Sequence, residues 1–564
     1  AANGDDRFPS MPALLRTLHQ RRRGPSWLWW GGAAALGVAS LSTLRSGEHP
    51  CEASVSIDDI WNEAHSDRTR RAFTATALPF APHAAERVSG MLDSYATQWR
   101  LTQRAVCELR APSAEALATQ RACLEQRARE LAALADLLEA PSTSVVLHAV
   151  GAAHRLRQPA ECIQPGVAVL EGAPHLLEEL ASLRADDLAG GGRSAIPRAE
   201  ALLEQASAAG DGAIFAEARF IQGRFLERAG EYAAAREALE DAFHRAVALG
   251  DDGLAARAAT MLVTVDGIRR LNPDKAAGWA RHGLAALDRT DSPLVRASLL
   301  VARGGAATTS GRFEDATADY EAALSLLTSE LSEDEFSIAA TLNNLATVHA
   351  RLGDYDAAES ELTRALASFE RDLGTAHPSV AATIANLAAL QTDRGNHEAA
   401  LETLLEASQR LTAALGRDHP TVAKNETNIG LAYLRLGRLS EAERHLGDAL
   451  EIRKRVLRAD HPEIGYAHTN RGHARAEDER WAAAASDYRK AIDILSAEFG
   501  VHDARVADPT RGLADVELAQ GDWRAASALA EGALRSIDFT GHPATETALR
   551  DVVERALTRS RDAL

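Results

Sequence analysis

Small and apolar side chains recur at a fixed spacing through the C-terminal part of the chain. From about residue 213, most periods of 42 residues carry a small residue, then a glycine (replaced by Glu479 in one copy), a bulky residue and two alanines at constant offsets. The small position is held by Gly304, Ala346, Ala388, Gly430, Gly472 and Ala514. A small residue lets two helix backbones approach, and a glycine before a bulky residue ends one helix and begins a turn. The pattern therefore predicts stacked helix–turn–helix units.

A His-Pro pair returns on the same period. It occurs as His377-Pro378, His419-Pro420 and His461-Pro462. Histidines at equivalent positions of stacked units lie on the order of 10 Å apart, whereas the ligands of one zinc ion lie about 2 Å from it. Proline in the first turn of a helix loses no hydrogen bond. We therefore expect each pair to begin a helix, and we expect no metal site.

The offsets resemble those of the tetratricopeptide repeat, and the 42-residue period resembles the repeats of kinesin light chain. The segment "LNNLA" at Leu342–Ala346 and the "HP" pairs carry this resemblance. It implies an all-α superhelical solenoid of about eight repeats over residues 205–540, with one degraded copy near 255–288. Residues 541–564 are expected to form a C-terminal capping helix.

The N-terminal segment has the pattern of a membrane span. Residues 26–44 contain no charge, and Arg21, Arg22 and Arg23 precede them. Nineteen helical residues extend about 28 Å, close to the thickness of the hydrocarbon layer. Basic residues stay in the cytoplasm, so residues 1–25 would be a cytoplasmic stub and the rest extracytoplasmic, in a single-pass inner-membrane protein. A buried Ala/Gly helix of a soluble protein is the alternative.

The four cysteines all lie in residues 46–200, a stretch with helical periodicity. They are Cys51, Cys107, Cys123 and Cys162. Two disulfides with three possible pairings are compatible with this set, and an oxidising compartment would favour them. Four buried thiols are the alternative. The segment 186–197, with three consecutive glycines, is the predicted linker to the repeats.

Composition limits the function. The net charge of −18 argues against a nucleic-acid partner, because phosphates would be repelled. The chain has no glycine-rich phosphate loop with a strand lysine and no His-Arg-Asp or Asp-Phe-Gly motif. We therefore expect no catalysis and no cofactor from this chain. An enzyme within residues 52–200 is a third hypothesis that no convergent polar set supports.

The order of parts resembles the C-terminal half of a bacterial, myxobacterial-type receptor serine/threonine protein kinase with extracytoplasmic tetratricopeptide repeats. The stretches "DRFPSMPALLRTL" and "RACLEQRARELAAL" carry this resemblance. It implies a sensor or scaffold module whose parent protein is a kinase. The alternative is a constitutive assembly scaffold without a signalling role.

The candidate binding residues lie on the first helix of each repeat. Asn344, Asn386, Asn428 and Asn470 come two residues before the small position. An amide both donates and accepts hydrogen bonds, so a row of amides could hold the main chain of a protein or peptide ligand. Other candidates for a cationic groove are Asn343, Arg351, Lys424, Arg435, Tyr466 and His473. The alternative is that the asparagines bond to neighbouring helices and stiffen the stack.

Overall fold

A computed structural model describes residues 55–108, 113–164, 169–290, 292–331, 336–537, 539 and 543–562. The predicted stub, the predicted span at residues 26–44 and Cys51 lie outside these residues. Within the described ranges, no helix combines the length and apolarity that crossing a bilayer requires.

Five helices form an N-terminal bundle. They are α1 (Ile57–Ile60), α2 (Glu63–Ala75), α3 (Ala81–Glu108), α4 (Ala114–Glu139) and α5 (Thr143–His154). Trp61, Phe73 and Trp99 are buried in its core, and Trp99 Nε1 donates to the carbonyl of Leu124 at 2.9 Å. Burial of such large apolar surfaces drives the packing of the bundle.

The bundle contains a disulfide between Cys123 in α4 and Cys162 in a short 3₁₀ helix, Pro159–Ile163. The two Cα atoms lie 5.6 Å apart, and both residues are fully buried. Of the three pairings that the sequence left open, the structure contains one that joins Cys123 to Cys162.

Paired antiparallel helices follow the bundle. The first pair is α6 (Pro174–Leu188) and α7 (Ile196–Ala209), so helix pairing begins before the predicted boundary at residue 205. The glycines at 190–192 lie in the turn between these helices, and Gly190 has φ +80°. The predicted linker is therefore a tight turn inside the stack.

Eight further pairs run from Gly212 to Ser536. In chain order they are α8 (Gly212–Arg228), α9 (Tyr232–Leu249), α10 (Asp252–Val263), α11 (Pro273–Leu287), α12 (Pro293–Thr309), α13 (Phe313–Glu330), α14 (Phe336–Leu352), α15 (Tyr355–Leu373), α16 (Pro378–Asp393), α17 (His397–Leu415), α18 (Pro420–Arg435), α19 (Leu439–Val456), α20 (Pro462–Glu477), α21 (Trp481–Phe499), α22 (Ala507–Ala519) and α23 (Trp523–Ser536). The final helix, α24 (Pro543–Asp562), packs on the last pair, where a capping helix was expected.

The small residue of each repeat lies where its two helices cross. A Cβ atom added at Gly430 in α18 would lie 2.6 Å from Leu446 Cγ in α19.

We expect Gly430→Ala to lower the free energy of unfolding by about 1–3 kcal/mol through overpacking. The matched control is Gly447→Ala in α19, where an added Cβ meets nothing within 4 Å. The control is expected to stabilise by up to about 1 kcal/mol, because alanine is the better helix former. Urea unfolding of both variants tests this, and equal shifts would contradict it.

The degraded repeat is an irregular helix pair. Its first helix, α10, continues into a π-helix, Thr264–Arg269, and Leu271 then adopts a left-handed backbone conformation with φ +48°. Such conformations are costly for a non-glycine residue and persist only where surrounding contacts hold them. Here the distortion places the Arg269 carbonyl where Arg505 donates a hydrogen bond to it.

That contact belongs to a line of contacts between early and late parts of the chain, which we call the seam. Its early side consists of residues 80–87, 147–148, 193, 230 and 269. Its late side consists of the connector residues 371–377, 461 and 505. His83 Nε2 lies 3.2 Å from the Arg371 carbonyl, and Arg87 pairs with Asp372 at 2.5 Å. Further along, Gly230 leaves room for His461, since a Cβ there would lie 2.7 Å from His461 Nε2. The N-terminal elements thus pack against the later repeats.

The His-Pro pairs lie in the connectors that lead from one repeat to the next. In each pair the proline begins the next helix and the histidine is its N-cap. The Nδ1 atoms of His377, His419 and His461 accept the backbone N–H two residues on, at 3.1, 3.1 and 3.2 Å. His377 Nε2 also lies 3.2 Å from the Leu147 carbonyl across the seam. The pair is therefore an architectural element, as its position predicted.

Candidate functional site

The first helices of the repeats form the concave face of the stack. First helices of neighbouring repeats pack against each other, whereas second helices of neighbouring repeats are held further apart. The N-terminal ends of α14 and α16 join the apolar core of the bundle through Ile338 and Val380. Their C-terminal halves are open: Thr347 and Ala389 are exposed, and Leu431 in α18 is 36% exposed. The open surface defines the concave groove, which runs across α14, α16, α18 and α20.

A row of asparagines runs along this groove. Asn344, Asn386, Asn428 and Asn470 are half-buried at equivalent positions of the four helices. Asn386 Nδ2 donates to Oδ1 of Asn343 on the neighbouring helix at 2.8 Å. One amide of the row therefore joins adjacent repeats, which is the stiffening role considered above.

The charged groove residues alternate in sign. Arg351, Lys424 and Arg435 are exposed, as a ligand-facing role requires. Asp393 and Glu477 hold the positions equivalent to Arg351 and Arg435, and both are exposed. The basic residues expected along the groove are therefore interspersed with acidic ones. Sequence reasoning missed the two acidic residues, although a step of 42 residues from Arg351 reaches Asp393.

Tyr466 and His473 are engaged inside the protein. Tyr466 is half-buried, and burial raises the pKa of its hydroxyl to about 12 against the opposing effect of Arg505. His473 Nδ1 lies 2.8 Å from the Tyr488 hydroxyl, and its Nε2 lies 3.2 Å from Asp508. Burial raises the pKa of the Asp508 carboxyl, but the hydrogen bonds and positive charges of His473 and Arg511 together outweigh it and lower the pKa to about 2. These two side chains have partners that a ligand would have to displace.

A cavity of about 220 Å³ lies beside the seam. Its walls include Tyr232, Leu271, Tyr466, Phe499 and Arg505. The Arg505 guanidinium lies over the Phe499 ring and pairs with Asp503 at 2.8 Å. Arg269, His461 and Glu463 also line the cavity, so it presents charged and polar side chains beside the aromatic ones.

The histidines of the connectors do not converge. In the part of the chain that the structure describes, no three His, Cys, Asp or Glu side chains are placed to hold a metal ion. Each connector histidine instead has the capping role described above.

A family profile described as a tetratricopeptide repeat matches residues 295–371, 337–409 and 379–455. Successive matches begin 42 residues apart, which is the period of the pattern. No curated protein matches the chain.

Solved structures of repeat proteins resemble the chain at low identity. The repeats of a Podosopora anserina protein described as a kinesin light chain match with 20% identity and a TM-score of 0.30, over 37% of this chain and 98% of that one. A Rap protein complexed with competence and sporulation factor matches with 16% identity and a TM-score of 0.39, over 62% and 98%. NprR in complex with its cognate peptide NprX matches with 16% identity and a TM-score of 0.35, over 46% and 71%. The chain thus contains tetratricopeptide repeats across residues 295–455.

Proposed function

We propose that the concave groove between residues 339 and 498 binds an extended segment of a partner protein. The observation that carries this proposal is the row of four half-buried asparagines, one on each of four consecutive first helices. Asn386 already donates to Asn343, and the open sides of the four amides leave hydrogen-bonding capacity that a ligand main chain can take up.

The chemistry of the amide suits this role. An extended segment presents alternating N–H and C=O groups, and an asparagine side chain can accept from the first and donate to the second. Recognition of the main chain leaves specificity to other groove positions. The module itself performs no chemical step in this proposal.

The proposal is tested with a phage-displayed library of unstructured peptides, selected on the whole chain. We expect the selected peptides to bind at least tenfold more weakly to the Asn386→Ala/Asn428→Ala variant, because several amide hydrogen bonds are lost. The matched control is Asn396→Ala, an exposed turn residue whose side chain makes no capping bond. Equal binding by wild type and the double variant would contradict the proposal.

The cellular setting is part of the same proposal. The uncharged segment 26–44 with its preceding arginines supports a single-pass membrane anchor, and the Cys123–Cys162 disulfide supports an oxidising, extracytoplasmic location. We propose that the repeats are the sensor or scaffold half of a membrane-anchored serine/threonine protein kinase. A constitutive scaffold is the alternative. If deleting residues 213–564 from the full-length protein leaves its phosphorylation output unchanged under every stimulus, the sensor role is wrong.

A further inference from the structure

Four exposed charges follow one edge of the concave groove. Arg351, Asp393, Arg435 and Glu477 lie at equivalent positions, in the last turns of α14, α16, α18 and α20. Their signs alternate from one repeat to the next. We call this set the charge ladder.

The ladder has defined ends. The equivalent position is Thr309 in α12 and Ala519 in α22, both uncharged. Thr309 Oγ1 donates to the Gly267 carbonyl at 3.1 Å and so belongs to the repeat interface. The four charges therefore cover the same four helices as the asparagine row.

The ladder has no evident structural purpose. Within the described residues, none of its four side chains lies within 4.0 Å of an opposite charge. The two other arginines of these helices, Arg471 and Arg475, both pair with Asp487, at 2.7 and 2.8 Å. Exposed charges without partners contribute little to folding.

The acidic members are unfavourable where they lie. Asp393 and Glu477 are the last residues of their helices. A helix C-terminus carries a partial negative charge that favours basic side chains and disfavours acidic ones. Folding alone would favour lysine or arginine at both positions, so the acidic residues point to a ligand.

We propose that the charge ladder reads an extended partner segment whose own charges alternate in sign at every third residue. This inference rests on the proposed peptide-binding function. Packed neighbouring helices lie about 8–10 Å apart, and an extended chain advances about 3.3 Å per residue. Each repeat therefore spans about three ligand residues, and four ladder positions span about ten. In a polyproline-II segment, which has three residues per turn and rises about 3.1 Å per residue, every third side chain points to the same side. Opposite charges at that spacing can therefore face all four ladder residues at once.

Three capped, fluorescently labelled twelve-residue peptides test the proposal by anisotropy with the whole chain. One carries two acidic and two basic residues alternating at every third position. The second has the same composition with like charges grouped, and the third carries four acidic residues. We expect the alternating peptide to bind about tenfold more tightly than either of the others, as four exposed ion pairs would supply.

A groove variant, Asp393→Lys/Glu477→Lys, should reverse this preference. The edge of the groove becomes uniformly cationic, and the all-acidic peptide is expected to bind best. Thermal unfolding should be unchanged or occur at a higher temperature, because the substitutions suit the helix C-termini. Retained preference for the alternating peptide would overturn the proposal.

The asparagine variant separates this inference from the function on which it rests. Asn386→Ala/Asn428→Ala should weaken all three peptides by a similar factor while keeping their order. If the peptides bind through the asparagines but wild type does not discriminate among them, only the charge ladder is wrong. If no peptide binds wild type, both proposals are wrong for extended ligands.

Discussion

Breaking the Cys123–Cys162 disulfide is expected to lower the free energy of unfolding of the bundle by about 4 kcal/mol. The bond closes a loop across a sequence separation of 39 residues, and a cross-link of that span restricts the unfolded chain by about this amount. Both cysteines are fully buried, so replacement by alanine adds only a small loss of packing. Guanidinium titrations followed by the signals of Trp61 and Trp99, which are buried in the bundle, measure the effect.

Three variants make this prediction specific to one bond. Cys123→Ala, Cys162→Ala and the double variant should each be destabilised by the same amount to within about 1 kcal/mol, because each removes the same cross-link. A double variant that loses about the sum of the two single losses would show that the cysteines act independently.

Acidification is expected to weaken the seam through His377. Its side chain is only 3% exposed, and burial lowers its pKa to about 4, although the hydrogen bond to the Leu147 carbonyl opposes the shift. The groups that face it are Phe80 and His83 near the start of α3 and His148 in α5. The Arg87–Asp372 pair lies beside them in the seam.

The sign of the effect follows from the pKa difference. An unfolded histidine has a pKa of about 6.5, so between about pH 6.5 and pH 4 the unfolded chain binds a proton that the folded chain does not. Stability is therefore fully present above pH 6.5 and is lost as the pH falls through this window. At pH 5 the loss amounts to about 2 kcal/mol for this group. His419 and His461 have pKa values lowered by burial and act in the same direction.

Hydrogen exchange between pH 7.5 and pH 5, corrected for intrinsic rates, tests this at residues 80–87 and 371–380. We expect about a 30-fold loss of protection in wild type. His377→Asn keeps an N-capping oxygen but does not titrate, so its protection should be lower at pH 7.5 and nearly independent of pH. The control is His502→Asn, an exposed histidine in the connector after α21. A wild-type profile that is flat, or one that His377→Asn does not alter, would contradict the prediction.

Local features of the sequence account for the repeats. The spacing of Gly430 and its equivalents, the proline after each connector histidine and the glycines of the turns act within one helix pair. Each of these features constrains backbone conformation or helix approach over a few residues. That is why the period and the helix starts could be predicted, whereas the ligand-binding role of Asn344, Asn386, Asn428 and Asn470 stays a prediction.

The degraded repeat shows where such reasoning stops. The sequence indicated only that residues 255–288 depart from the pattern. Beside its π-helix and the left-handed backbone of Leu271, the Arg269 carbonyl accepts a hydrogen bond from Arg505 over a sequence separation of 236 residues. A contact of that range leaves no periodic signal.

The sequence by itself determined the all-helical repeat architecture and the register of the groove asparagines. It also determined that proline begins the helices after the connector histidines, which requires no distant contact. Only the tertiary structure decided which groove residues are free to meet a ligand. It engages Tyr466 and His473 with internal partners, and it exposes Arg351, Asp393, Arg435 and Glu477 along one edge. The tertiary structure also places the connector histidines in the seam, because the curvature of the stack brings the Leu147 carbonyl to His377 over a sequence separation of 230 residues. Periodicity encodes the repeat, whereas curvature, summed over many repeats, decides which distant surfaces meet.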